Sequence, residues 1–370
     1  MELRVPLYLL ALAVFAMGTS EFMLAGLVPG IAAAFAVSPA QAGYLTSAFA
    51  AGMVAGAPVM AALARSWRRR TALLCFLAVF VAMHVAGGLT TSFGVLVGTR
   101  LVAAIANAGF LAVALIAATE LARPGRALAV LLGGSTAACV VGIPGGALLG
   151  WRPAFWAVAA LCLPAFAAVR WIPDTPAGRE PGDLRAELAV LRPVAGVLLT
   201  GAFVNAATFG VFTSLAPVAS GVAPVPVVLG AFGVGCFAGI TAAGRLADRW
   251  TGRVVAIGGP LLLAGWVAAA LAAAIPVVLV TLAFTQGALS FAVGGTVIAR
   301  ILRLAEAAPT MKGAYATAAL NVGATAGPVL TGAAGNPFWV AAGLVAAASV
   351  LAVLVPGVFA RPPRVRTAAG

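Results

Sequence analysis

The sequence predicts an all-α integral membrane protein whose twelve transmembrane helices form two six-helix bundles. Three observations carry that expectation. The 370 residues are 63% hydrophobic and only 8% charged, with a mean hydropathy of +1.12, whereas a soluble domain carries about 25% charged residues. Twelve apolar segments come close to the about 20 residues that a bilayer crossing needs. The basic residues gather in alternate connections, as the positive-inside rule requires of a multi-pass chain.

Span 1 covers residues 5–27. No small-residue cleavage site follows it, so it reads as a retained helix and not as a removed signal peptide. Spans 2 and 3, 41–63 and 71–91, are parted by Arg65, Arg68, Arg69 and Arg70. Span 4 is 93–118, and Arg123 and Arg126 separate it from span 5, 127–149. Span 6, 154–172, closes the first half. Residues 173–193 are the one long polar interruption and carry Arg179, Arg185 and Arg192. Within them, 184–191 has the pattern of a short amphipathic helix on the inner surface. Spans 7 and 8 are 194–217 and 226–246, with Arg249 and Arg253 ahead of span 9, 254–275. Span 10 is 277–299, Arg303 and Lys312 precede span 11, 314–334, and span 12, 338–359, leads to Arg361, Arg364 and Arg366. The opposite connections hold almost no base, Arg152 excepted. The expected organisation is therefore a bundle in 1–172, a cytoplasmic central loop in 173–193 and a second bundle in 194–370. Both termini are expected in the cytoplasm, and the chain in the cytoplasmic (inner) membrane.

Several functions are excluded on composition. The net charge of +13 is accounted for by the loops on one side, so the expected partner is the lipid bilayer and no nucleic acid. Cys75, Cys139, Cys162 and Cys236 fall in four different spans without metal or redox spacing, and read as small apolar fillers. One histidine, no H-E-x-x-H and no paired membrane acids give an intramembrane enzyme little to work with, and neither metal nor cofactor is expected. No Gly-x-x-x-x-Gly-Lys-Ser/Thr loop binds ATP. No ring of charges or carbonyl filter suggests a channel.

The halves share a motif. Gly244 to Arg253, with Asp248 and Arg249 inside it, follows span 8, and Ala61 to Arg70 follows span 2, 183 residues earlier. Val141-Gly142 in span 5 is echoed by Val322-Gly323 in span 11, 181 residues later. Repeats of six spans around a midplane site are a transporter architecture. The Gly-x-Leu-Ala-Asp-Arg-x-Gly-Arg-Arg pattern, met well at Gly244 to Arg253, resembles that of the major facilitator superfamily. In the first copy Arg65 stands where the aspartate belongs, which leaves Glu120 as the acid for Arg69 or Arg70 at an inner gate. The run from Gly133 to Gly150, with Gly142, Pro144, Gly145 and Gly146, resembles the gating "antiporter motif" of that superfamily's drug:proton antiporters. Glycines let helices approach closely and a proline kinks its helix. The stretches Gly18 to Leu27, Leu45 to Phe49, Asn107 to Ala114, Gly150 to Trp156, Asn205 to Phe209 and Tyr315 to Gly323 are similar to the actinomycete chloramphenicol-resistance exporters.

In the resembled fold, spans 1, 4, 7 and 10 line a central cavity. Outside serine and threonine, the deep polar residues are Glu21, His84, Arg100, Asn107, Asn205, Gln286 and Asn321, and five of these seven lie on those four spans. Polar side chains are costly against lipid, so they should collect where water or substrate enters. Glu21 and Arg100 fall at similar depth and are expected to pair, with Glu21 carrying the exchanged proton and Arg100 matching the span-4 arginine of the resembled exporters. A fixed structural ion pair and direct contact with substrate are the other readings of Glu21. Phe22, Met23, Phe110, Phe209 and Phe291 are candidates for an aromatic wall, and Asn107, Asn205 and Gln286 for polar anchors of a bound drug. His84, on a peripheral span, reads as a hydrogen-bonded structural residue. The function expected is a monomeric, proton-coupled antiporter exporting a small neutral drug, chloramphenicol or a phenicol relative. Its rivals are an exporter of a metabolite such as a sugar, nucleoside or amino acid, a proton-coupled importer, and a membrane receptor or assembly factor that transports nothing.

Overall fold

A computed structural model describes residues 4–63, 67–121, 124–169, 172, 184–308 and 311–354. Their helices, in chain order, are α1 (Arg4–Phe22), α2 (Leu24–Phe35), α3 (Pro39–Leu63), α4 (Arg69–Leu89), α5 (Phe93–Leu121), α6 (Pro124–Leu149) and α7 (Trp151–Val169). The short α8 (Leu184–Ala189) follows. The second set is α9 (Leu191–Ala219), α10 (Val225–Ala272), α11 (Pro276–Leu304), α12 (Lys312–Gly332) and α13 (Pro337–Leu354). Among the described residues, nine helical stretches are long and apolar enough to cross a membrane. The passes expected as spans 5 and 6 are α6 and α7, of 26 and 19 residues. The pass of span 11, α12, carries Thr317, Asn321 and Thr325 and packs on α9 and α3, so protein rather than lipid covers much of it.

Two spans differ from their sequence reading. Span 1 is not one helix ending at Leu27 but two, broken at Met23 and continuing to Phe35. At the break the ladder tightens, with Met23 N–H donating to Thr19 O at 2.8 Å and Gly26 N–H to Met23 O at 3.0 Å. Pro29, which has no N–H to give the ladder, lies one turn further on. Spans 8 and 9 form one unbroken helical run of 48 residues, which if straight would be about 72 Å long. It folds back on itself instead. Gly235 lies against Phe284 and Ala288, Gly239 against Ala288 and Ala292, and Ala243 against Gly295, whereas Gly258 returns to Val293 and Gly265 to Gln286. The first arm therefore runs parallel to α11 and the second antiparallel to it.

The two halves repeat one packing scheme. In the first, α1 packs on α6 and α7, and α5 on α3 and α4; in the second, α9 packs on α12 and α13, and α11 on the two arms of α10. One cluster of buried apolar side chains lies within the first half, and a second fills the other half and takes in Phe22, Ala25, Cys139 and Ile143 from the first. Glycines set close helix contacts in each half. Gly134, Gly142 and Gly146 on α6 lie against Ala11, Thr19 and Met23 on α1, a constant step that marks parallel helices. Gly323 and Gly327 on α12 lie in the same way against Ala202 and Ala206 on α9. A Cβ at Gly146 would collide with the Met23 carbonyl, while one at Gly145 would meet open space. Gly146→Val is therefore expected to separate α6 from α1 and remove most folded protein, and Gly145→Ala to leave it intact. Size-exclusion profiles and thermal midpoints of the purified variants check this.

The halves meet toward the end opposite the arginine-rich connections. There Gly332 lies against Ala40, Gly43 against Pro328 and Thr213, and, nearer the middle, Gly233 against Cys139. Within span 1, α1 packs on α5, α6 and α7, while α2 adds α9 and α10 of the other half. At the arginine-rich end α8 is fastened to the second half. Glu187, 4% exposed, accepts a hydrogen bond at Oε2 from Met311 N–H at the start of α12, and its carbonyl accepts one from the Tyr315 hydroxyl, each at 2.9 Å. A carboxylate at a helix N-terminus is favoured by the helix dipole.

Candidate functional site

At the break in span 1 three consecutive residues face three directions, as successive helical positions must. Ser20 is fully buried and Phe22 nearly so, while Glu21 between them stays partly exposed. Phe22 enters the second half, its ring centroid 6.4 Å from Phe209, 6.2 Å from Phe212 and 6.3 Å from Phe291. Three of the residues expected to form an aromatic wall, Phe22, Phe209 and Phe291, therefore come together where the halves join. Phe212 completes the group; it was missed, although it lies one helical turn from Phe209. Phe110 and Met23 are buried in the core of the first half instead, Met23 against Gly146.

Ser20 turns the other way, toward α4 and α5. Arg100, 1% exposed, donates from Nη2 to the Ser20 carbonyl at 2.8 Å and from Nη1 to Ser20 Oγ at 2.8 Å. Nη1 also lies 3.3 Å from His84 Nε2, and Ser20 Oγ lies 2.7 Å from the same nitrogen. The guanidinium is flanked by the rings of Phe49 at 4.5 Å and Phe155 at 5.6 Å, in cation–π geometry. Ser20 O belongs to the last turn of α1, where the helix dipole favours a cation. Arg100 thus caps the broken helix.

The expected pairing of Glu21 with Arg100 needs correction at this point. Among the described residues no ion pair joins them: Arg100 directs Nη1 and Nη2 to Ser20 and His84, and its Nε has no hydrogen-bond partner. The two charges remain within electrostatic range of each other, and Cys139 on α6 lies within the same range of Glu21. His84 makes the hydrogen bonds expected of a structural residue, but at the centre of this junction and not at the periphery.

The amide side chains divide. Asn205 donates to Leu320 O at 2.6 Å and ties α9 to α12; Gln286, 1% exposed, donates to Leu262 O at 2.8 Å and ties α11 to the second arm of α10. Gln286 is thus held inside the second half, against Gly265. Gln286→Leu is expected to cost about 1–3 kcal/mol of stability, since a buried carbonyl loses its donor, and to leave drug affinity unchanged. Thermal unfolding and equilibrium binding of the variant check both. Asn107, 2% exposed, has its Nδ2 3.7 Å from Met53 Sδ, while its Oδ1 has no hydrogen-bond partner. The buried hydroxyls of Thr19, Thr46, Ser47 and Ser290 also lack one. Unmet buried polar atoms of this kind on α1, α3, α5 and α11 suit a ligand that carries its own donors and acceptors.

Of the gate candidates, Gly142, Gly146 and Pro144 lie in α6, the two glycines against α1 and the proline within the helix. Arg70 donates from Nη2 to Ile172 O at 3.0 Å, and Arg69 begins α4 beside it. Gly244 and Arg253 are exposed near the fold-back of α10. The side chains of Glu120, Asp248 and Arg249, and all of Arg65, lie outside the described residues.

Comparison with known proteins places this geometry. The family model described as Major Facilitator Superfamily matches residues 10–224. The chain is 56% identical to a chloramphenicol resistance protein of Streptomyces lividans over 94% of its own length and 95% of that protein's. It is 30% identical to the inner membrane transport protein YdhP of Escherichia coli K12, with 90% and 89% covered. Among solved structures, a bacterial homologue of the human lysosomal transporter Spinster, inward-facing and unoccupied, aligns with a TM-score of 0.74. That match is at 18% identity and covers 96% of this chain and 95% of that one. The human organic anion transporter MFSD10 aligns with a TM-score of 0.66 at 18% identity, covering 94% and 98%. These two likenesses concern the fold. The matched family model and the relatives from Streptomyces lividans and Escherichia coli show that this chain is a multi-pass membrane transporter belonging to the Major Facilitator Superfamily.

Proposed function

We propose that the protein exports a small neutral drug, chloramphenicol or a related phenicol, in exchange for a proton, by alternating access. The observation that carries the reading is a partly exposed carboxylate, Glu21, beside an aromatic junction built from both halves, Phe22 with Phe209, Phe212 and Phe291. Aromatic rings offer a face to a nitrophenyl group, and the unpartnered atoms of Asn107, Thr19 and Ser290 offer hydrogen bonds to hydroxyls and an amide. The substrate class also draws on the name of the Streptomyces lividans relative. In this reading Glu21 binds the proton, Arg100 sets its electrostatic surroundings, and α6 flexes at Gly142, Pro144, Gly145 and Gly146 as the halves rock. The arginine-rich end, with both termini, faces the cytoplasm. The working unit is one chain in the cytoplasmic membrane.

Expression in a drug-sensitive host challenged with a panel of antibiotics tests the function. The expected result is a raised phenicol threshold that an uncoupler abolishes. An unchanged threshold for every drug would shift the reading to export of a metabolite.

A further inference from the structure

We propose that His84 is a positioning residue that holds Arg100 on the broken end of α1 and so keeps it from closing onto Glu21. The proposal rests on the reading of Glu21 as the proton carrier. From α4, His84 reaches two other helices, α1 at Ser20 and α5 at Arg100.

The hydrogen bonds fix its role. His84 Nδ1 lies 2.8 Å from Phe80 O, and a carbonyl only accepts, so Nδ1 carries a proton. Nε2 of a neutral ring is then a lone pair. It faces Arg100 Nη1 and the Ser20 hydroxyl, both of which are donors. The bonds run in one direction only. Arg100 Nη1 donates to Ser20 Oγ, Ser20 Oγ–H donates to His84 Nε2, and His84 Nδ1–H donates to Phe80 O. A proton on Nε2 would set donor against donor beside a guanidinium, so the neutral ring is the form that fits.

Without the Nε2 lone pair, the Ser20 hydroxyl loses its acceptor and Arg100 Nη1 loses one of its two. The carboxylate one residue along, Glu21, is within electrostatic range and offers an acceptor of matching charge. A carboxylate bonded to a guanidinium keeps its charge, and a carrier that keeps its charge carries no proton. The charged or titratable groups near this stretch of α1 are Arg100 on α5, His84 on α4 and Cys139 on α6. Aromatic side chains face it from α7, α9 and α11: Phe155, Phe209 and Phe291.

Infrared difference titration of the purified full-length protein tests the proposal without any ligand. In wild-type protein a protonated-carboxyl band is expected to appear as pH falls, and to be absent from Glu21→Gln. In His84→Leu the band is expected to be lost over the same range, and in His84→Gln, whose Oε1 replaces the acceptor, to return. If His84→Leu does not fold, His84→Met, which fills the space with only a weak acceptor, takes its place. A band that persists in His84→Leu with the wild-type midpoint overturns the role of His84 alone. A wild-type protein with no band that depends on Glu21 overturns the carrier reading, and the His84 proposal with it.

Discussion

Replacing Glu21 by Gln is expected to reduce uphill drug export to a gradient of about one-fold, while exchange of drug for drug across the membrane continues. A charge crossing roughly 150 mV releases about 3.5 kcal/mol, and about 1.4 kcal/mol sustains each tenfold of gradient. One proton per cycle therefore supports a gradient of a few hundred-fold for a neutral drug. Glutamine keeps the volume and polarity of Glu21 but cannot bind and release a proton, so the cavity can still change sides with drug inside it. Separate assays of energised uptake and of counterflow in inverted vesicles distinguish the two activities. Full energised uptake by the variant would remove Glu21 from the coupling step.

Arg100→Lys is expected to lower the rate of energised export at least about tenfold, equivalent to about 1.4 kcal/mol of barrier. The charge is retained, so a purely electrostatic role predicts little change. The geometry requires more than charge. One guanidinium reaches Ser20 O, Ser20 Oγ and His84 Nε2 together while lying between Phe49 and Phe155. An ammonium is a single point that cannot span these acceptors in the plane of a fork. The end of α1 then loses its cap, and the break at Met23 loses a fixed pivot. Transport rates normalised to folded protein in the membrane check the expectation.

The passes and their repeat were legible in the sequence because lipid enforces them. A bilayer demands long apolar runs with their backbone bonds met internally, and the arginines mark which connections share a side. The glycines of α6 were also readable, since close helix contact needs residues without side chains, and Gly142 and Gly146 do meet α1. The break at Met23 was not readable, because no proline stands at it and the nearest, Pro29, lies six residues further on. Nor was the role of Gln286. In a span that is apolar all round, no polar face shows which way one amide points, and this one turns to Leu262 O on the neighbouring arm. His84 was hidden for a related reason. A lone histidine has no periodic partner, and its contacts, Ser20 and Arg100, lie 64 and 16 residues away. The direct Glu21 to Arg100 pair was inferred from depth alone. Depth cannot tell that Ser20, one residue earlier, faces the arginine and takes its donors.

Coupling of drug to proton movement is the centre of the account, and it can be observed without a cell. The purified protein is reconstituted in liposomes holding a pH indicator and chloramphenicol, then diluted into drug-free buffer. As drug leaves, the lumen is expected to acidify in liposomes with wild-type protein and to stay constant with Glu21→Gln. A lumen that turns alkaline as drug leaves, or drug efflux with no proton movement in wild-type protein, would contradict it.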